Sequence, residues 1–463
     1  MNSIHKNLLE FNDKGKKCII VLFLFLIALS SSPSFKNLNK KYYGDYYYSN
    51  INEQIINDIM NNSIRISFIG DLLLLKDQVI SAKNNIDGPN AGNTTSYSTS
   101  NYGDGIPLYL NFPDEFAESV KNAGINLVTT TNNHLLDKNI KGAMRTLDLF
   151  DKYNISHVGS YRNKEEKDKI FIVNVKGIKI AVLAYTSKIN KIKMQDLYKK
   201  YNYLTRIIPK NDNKYYEEIY NEIKNDFTQV KKESPDIIIV LAHMGTQFLH
   251  KENVFQDKWN KIFSNLGANI ILGGHSHVVK PLQYINNTFI ANSPGNFANS
   301  YIKNRSDIAA IIDIYINKQT KKVIGASAIP MYTKEIRKKY FSAIPIYDIM
   351  KDNLVTLNKN ERKRVQQIQL MTTKVLVGKE IGINNIKKEF FFINNSYYDM
   401  GDNKFCYELN EYSKSEVFKT IEKSNSITFI GDSITRGLKN GFHPWYEPIL
   451  KCFKNKKIIN FSR

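Results

Sequence analysis

Four stretches of this chain place metal-ligating side chains where a strand pattern ends. Ile64–Ile69 alternates and runs into Gly70-Asp71. Ile125–Thr130 runs into Asn132-Asn133-His134, the apolar run 236–241 into His243-Met244-Gly245, and 269–272 into Gly273-Gly274-His275-Ser276-His277. In open α/β sheets, ligands bind beyond the carboxyl ends of the strands. A His-x-His pair on a glycine-led loop can aim two imidazoles at one ion, and Asp and Asn oxygens complete a mixed nitrogen/oxygen set. Such a set suits Zn, Mn or Fe better than calcium. Paired ions about 4 Å apart can hold a phosphoryl or carbonyl oxygen and lower the pKa of a bridging water. Any one of these residues alone reads as a surface histidine, a hydrogen-bond partner or a helix cap. Their joint occurrence at successive strand ends is what points to a site. His5, His157, His250 and His443 lack that setting and read as structural.

The elements that must position these residues alternate. After the Asn/Gly/Ser/Thr-rich loop 81–105, helix patterns over 112–123, 142–153, 215–232 and 257–266 separate the strands 125–130, 178–185, 236–241 and 269–272. Further strand patterns lie at 289–291 and 308–316. This alternation predicts an α/β sandwich whose sheet faces are covered by helices. Residues 357–374 read as a charged helix, 375–424 as an irregular polar connector, and Ser426–Ile430 as the start of a second αβ pattern.

The 463 residues carry 65 Lys+Arg against 44 Asp+Glu, a formal charge of +21, and 42% hydrophobic residues, so the chain can bury a sizeable core and is not a disordered protein. Three cysteines with no CxxC pairing exclude a disulfide framework and a thiolate zinc site. The basic excess reflects either a Lys/Asn/Ile-rich codon bias or a surface that meets polyanions. No zinc finger, helix-turn-helix or RNA-binding aromatic signature accompanies it, so nucleic acid is not the expected partner. Lys14, Lys16 and Lys17 precede the apolar run Cys18–Leu29, the pattern of an export signal. Read as an uncleaved anchor it predicts a single-pass membrane protein with its bulk outside; read as a cleaved signal peptide it predicts a secreted one. Residues 36–62 then form a polar tether.

Taken in order, Phe68-Ile69-Gly70-Asp71, Ala123–His134 with Asp137, His243-Met244-Gly245, Gly273–His277 and Ser293-Pro294-Gly295-Asn296-Phe297 resemble the blocks of the CapA family, the poly-γ-glutamate and capsule synthesis proteins. The resemblance spans Ile64 to Tyr340. It implies a four-layer α-β-β-α sandwich of the calcineurin-like metallophosphatase type over residues 63–340, with Asp71, Asn133, His243, His275 and His277 as ligands of divalent metal, His134 as the acid or phosphate contact, and Asn296 at the substrate rim. It departs from the metallophosphatase pattern at Leu73, where a histidine is usual. The only counterpart to the family's Asn-x-Glu motif is Asn85-Ile86-Asp87, which would put Asp87 in place of a bridging glutamate. The implied partners are an anionic polymer, the membrane and other capsule-synthesis membrane subunits.

Ile427–Gly437, with Gly431-Asp432-Ser433, resembles the first block of SGNH (GDSL-type) hydrolases, in which the serine is the nucleophile. The later Asp-x-x-His of that family is not found before Arg463, so Ser433 is expected to be vestigial in a truncated second domain, residues 425–463. Three functions follow as expectations: a capsule-polymer protein with a metal site, a metal-dependent phosphoesterase, and a polymer-binding module without catalysis.

Overall fold

The computed structural model describes residues 18–19, 59–73, 110–112, 114–299, 306–337, 340–351, 355–378, 380–393, 426–431 and 457–462. The chain divides into two compact units, Met1–Tyr42 with Asn395–Arg463, and Tyr43–Asn394. In the first, Ser426–Gly431 is a strand that pairs in parallel with Cys18–Ile19 and with Lys457–Ser462. The strand expected at Ser426 is therefore present, while Ser433 and the rest of the expected serine turn lie outside the described residues. So does the apolar run beyond Ile19. Among the described residues, no helix is long and apolar enough to cross a membrane.

The second unit begins with β1 (Ser63–Phe68) and β2 (Asp71–Leu73), followed by α1 (Glu115–Asn122), β3 (Leu127–Thr129), α2 (Asn139–Lys152) and β4 (Ser156–Val158). Next come α3 (Lys164–Asp168), β5 (Phe171–Val175), β6 (Ile178–Thr186), α4 (Met194–Tyr201), β7 (Arg206–Ile207), α5 (Tyr216–Lys232), β8 (Ile237–His243), α6 (Val254–Leu266) and β9 (Ile270–Gly274). Then follow β10 (Leu282–Ile285), β11 (Thr288–Ala291), β12 (Asn296–Asn299), β13 (Ile308–Asn317), β14 (Val323–Arg337), β15 (Tyr340–Pro345), α7 (Ile346–Lys351), α8 (Lys359–Val377) and β16 (Phe390–Ile393).

One sheet runs β10-β11-β9-β8-β6-β5, with β7 beside β6. Its members β6, β8, β9 and β11 are mutually parallel. Parallel strands buried on both faces need apolar residues at nearly every position, and Ile178–Thr186 meets that demand, with every residue but Lys179 buried. The helix side of this sheet is built by side chains such as Phe227, Trp259 and Phe263, all fully buried with Leu183 and Val240. Each such side chain contributes about 1.5–3 kcal/mol by leaving water. The helix that carries two of them, α6, is delimited at both ends. Asn253 accepts the Gln256 N–H at its start, and Gly267 closes it in the left-handed conformation at φ 112°.

The second sheet is antiparallel, β15-β14-β13-β1, with β16 also on β14. The alternating residues Ile308, Ala310, Ile312, Ile314 and Ile316 join Ile180, Val182 and Ile239 of the first sheet in one core, to which α8 adds Val365, Ile368 and Leu376. The connector expected over 375–424 is thus corrected at Phe390–Ile393, four apolar residues that pair with Gly325–Ala328 and are buried. Two short parallel pairs complete the unit, β2 with β12 and β3 with β4.

Candidate metal centre

The parallel register brings the carboxyl ends of three strands side by side: Thr186 pairs with His243, and His243 with Gly274. The chain leaves each strand directly into a loop that carries donor atoms. From β8 it delivers His243, and from β9 it delivers His275 and His277. Both of the latter hold left-handed backbone, at φ 82° and 58°. For a residue with a Cβ that conformation costs on the order of 1–2 kcal/mol. The ring centroids of His243 and His275 are 4.9 Å apart, and those of His275 and His277 are 6.3 Å apart.

Asn133 joins them from the loop after β3. Its Oδ1 lies 2.8 Å from His243 Nε2 and 3.4 Å from His275 Nδ1. Asp71 and Asn296 approach from the other side on the adjacent strands β2 and β12, which pair at those two residues. His277 Nδ1 lies 2.9 Å from Asn296 Oδ1 and 3.4 Å from Asp71 Oδ2, while its Nε2 faces the Gln247 amide at 3.2 Å. Gly274 is the hub. A Cβ there would stand 3.1 Å from His243 Nδ1 and 3.4 Å from Asp71 Oδ1.

The electrostatics keep the His243 and His275 imidazoles neutral. Burial, and then the neighbouring histidines, push His243 well below its ordinary pKa, and burial foremost takes His275 down to about 3. Burial raises Asp71, opposed by His277 and His134. Neutral imidazole is the form that binds metal. With N–H at both facing nitrogens, Asn133 Oδ1 accepts two hydrogen bonds. With lone pairs there instead, two nitrogens and an amide oxygen face one point, the mixed set suited to a first-row divalent ion. The donor chemistry therefore fits a cation such as Mn, Zn or Fe. Among the described residues, however, no three His, Cys, Asp or Glu side chains stand close enough to form a cage by themselves. The set depends on the Asn133 oxygen, and His277 is already engaged by Asn296 and Gln247. The Nδ2 of Asn296 is buried without a hydrogen-bond partner.

His134 stands on the same loop as Asn133, within electrostatic reach of Asp71, His243 and His275. Its Nδ1 is 2.6 Å from Asp137 Oδ2, which also accepts the Leu110 N–H at 2.6 Å. A buried carboxylate on one imidazole nitrogen orients the ring. The structure thus brings together Asp71, Asn133, His134, His243, His275, His277 and Asn296. Asp87 and Ser433 lie outside the described residues. A cavity of about 1110 Å³ borders this group, bounded among the described residues by Phe68, Phe112, Phe116, Val182 and Leu241 besides the site residues themselves.

Sequence reasoning missed the residues that tie these loops together. Lys280 is fully buried, with Nζ 2.6 Å from Gln256 Oε1, and Gln256 Nε2 donates to the Met244 carbonyl. Burial takes its ammonium down to about 8, against the pull of Glu252. Glu252 in turn accepts from Asn292, and the Lys280 N–H donates to the Ser293 carbonyl. Lys280, Gln256, Glu252 and Asn292 thereby tie the loops after β8, β9 and β11 to the start of α6. A single lysine three residues past His277 gives no sign of this in the sequence, because every partner is distant along the chain.

The bacterial capsule synthesis protein family PGA_cap matches residues 68–301, half of the chain. The chain is 28% identical over 212 residues to the PGA biosynthesis protein CapA of Bacillus subtilis (strain 168), covering 46% of this chain and 52% of that protein. It is 24% identical over 228 residues to the capsule biosynthesis protein CapA of Bacillus anthracis, covering 49% and 53%. The chain thus spans about half the length of the curated relatives it matches. A crystal structure of a hypothetical protein from Thermus thermophilus superposes with a TM-score of 0.35 at 12% identity, covering 58% of this chain and 98% of that one, a likeness too slight to bear on function. The family match stops at residue 301 and lends no support to the SGNH-type reading of residues 425–463.

Proposed function

The chain belongs to the bacterial capsule synthesis protein family PGA_cap, and from that premise we propose that it acts in making, exporting or anchoring an anionic capsule polymer of the poly-γ-glutamate type, through a divalent metal held at the carboxyl edge of its parallel sheet. The observation that carries this reading is the convergence of Asn133, His243 and His275 from three separate strand ends. We read the two facing sheets and their helices as the four-layer sandwich of the metallophosphatase type. The protein works at the outer face of the cell membrane, held by residues 1–35, or is secreted through them, and other capsule-synthesis membrane subunits are its partners.

A divalent cation in this place polarises a carbonyl or phosphoryl oxygen. The protein's own residues do the rest. Asn133, His243 and His275, with Asp71 and His277 beside them, would hold the cation, and the burial of Asn133, His243 and His275 excludes bulk water. Asn296 fixes the His277 ring, and Asp137 fixes the His134 ring on the rim. In cells that carry this gene, its deletion is expected to abolish surface polymer, the wild-type gene to restore it, and His243→Ala to fail. Full restoration by His243→Ala sinks the metal-site reading.

The His134–Asp137 pair favours a second reading, a metal-dependent phosphoesterase with His134 protonating the leaving group. Asp137→Asn is then expected to lower turnover of a chromogenic phosphodiester by about 10²–10⁴-fold. A wild-type protein that is inert toward such esters with added Mn²⁺ and Zn²⁺ eliminates this second reading.

A further inference from the structure

The loop that follows β6 does not belong to the metal-ligand blocks, yet it is fastened to two of them. The Ser187 N–H donates to the His243 carbonyl at 3.1 Å, and the Asn190 N–H donates to the Asn133 carbonyl at 2.7 Å. Lys188 sits between these two anchors, so its backbone is pinned between the loop that carries His243 and the loop that carries Asn133. A second tie holds its own peptide: Thr186 Oγ1 donates to the Lys188 carbonyl at 2.9 Å. The segment reads Ser187-Lys188-Ile189-Asn190-Lys191-Ile192-Lys193, three lysines and no acid. Ile189 is buried and anchors the loop from beneath, while Lys188, Lys191 and Lys193 are exposed.

The three lysines do not share one role. Lys191 Nζ donates to the Asp137 carbonyl at 2.6 Å and so steadies the segment behind His134. The side chains of Lys188 and Lys193 have no hydrogen-bond or ion-pair partner among the described residues. Lysines elsewhere on this unit commonly pair with acids, as Lys164 does with Asp168, Lys167 with Glu222 and Lys334 with Glu361. An unpaired ammonium on a loop fixed at both sides, beside a site with few carboxylates of its own, has the setting of an anion contact.

We propose that Lys188 is a substrate-binding residue that grips a carboxylate of an anionic polymer lying across the site. This rests on the capsule-polymer reading given above and names the chemistry that the site selects, a chain of repeated carboxylates. Lysine suits the task as a mobile point charge that can follow successive groups of a flexible polymer, where a fork-shaped guanidinium would demand one geometry.

The test is binding of a fluorescently labelled γ-linked glutamate oligomer to the full-length protein with Mn²⁺ present, over a range of salt concentrations. Lys188→Ala is expected to weaken binding about fivefold and to make it less sensitive to salt. Lys188→Arg is expected to keep the salt sensitivity. Lys232→Ala removes the same charge near the opposite, amino edge of the sheet and is expected to bind as the wild type does. If Lys188→Ala binds like the wild type, or if Lys232→Ala weakens binding equally, the assignment of Lys188 is overturned while the capsule-polymer reading stands. A wild-type protein that ignores the glutamate oligomer overturns both. A wild-type protein that prefers inorganic polyphosphate to the glutamate oligomer overturns the carboxylate assignment.

Discussion

Replacing His275 with alanine is expected to lower the affinity of the protein for Mn²⁺ or Zn²⁺ by at least about 100-fold, the upper end of what loss of a mere supporting partner costs. His275 is buried and aims Nδ1 at the oxygen that His243 also faces. No other imidazole among the described residues is placed to replace it. The backbone adds a second, independent expectation. At φ 82° the Cβ of His275 is strained, and alanine keeps that strain whereas glycine releases it. His275→Gly should therefore be more stable than His275→Ala by about 1 kcal/mol, the reverse of the usual order of these residues. Titration calorimetry with the metal and thermal unfolding of the two variants give both results. An alanine variant that binds metal like the wild type removes His275 from the ligand set. A glycine variant less stable than the alanine one removes the argument from strain.

The second large effect is expected from Gly70→Ala. The residue before Asp71 lies against the Gly295 carbonyl, and a methyl group there would overlap that oxygen. Backbone cannot rotate away as a side chain can, so either β2 or the Ser293–Asn296 turn must move. Because Asp71 and Asn296 sit on the two strands that this contact joins, the displacement reaches the site. The expected cost is about 1–3 kcal/mol of stability, as for other overpacked positions, together with weakened metal binding. Gly124→Ala is the control. That glycine has φ 79° but open space around its missing Cβ, so it should lose stability without loss of metal. Unfolding in urea and metal titration of both variants separate the two cases. Unchanged metal affinity in Gly70→Ala would show that Asp71 is not held where the site needs it.

The parts of the fold legible in the sequence are those whose burial is settled locally. Residues 178–185 and 236–241 read as strands because a parallel strand covered on both faces must be apolar throughout, and the strands observed there are Ile178–Thr186 and Ile237–His243. The helix pattern starting at residue 257 falls within α6, which begins at Val254, one turn earlier, because Asn253 caps it. Strand β14 was not legible. It carries Pro330 and the polar Ser327, Thr333 and Lys334 in inner positions, and it is held by three different partners, β13, β15 and β16. Nor was β16, whose four apolar residues sit in a polar stretch and find their partner more than fifty residues upstream. The site was legible to the extent that strand ends govern it. Asp71, Asn133, His243, His275 and His277 each follow a strand pattern, and the parallel register then brings those ends together. Gln247 on His277 and Lys280 on Gln256 are contacts between segments distant in sequence, set by the fold rather than by any local pattern.

The most direct measurement is anomalous diffraction from crystals of the full-length protein grown with Mn²⁺ and recorded near the manganese absorption edge. The account predicts a peak bounded by the side chains of Asn133, His243 and His275, with Asp71 at its edge, and the loss of that peak in His275→Ala crystals. A wild-type map with no peak at that sheet edge, or with manganese only on other side chains, contradicts it.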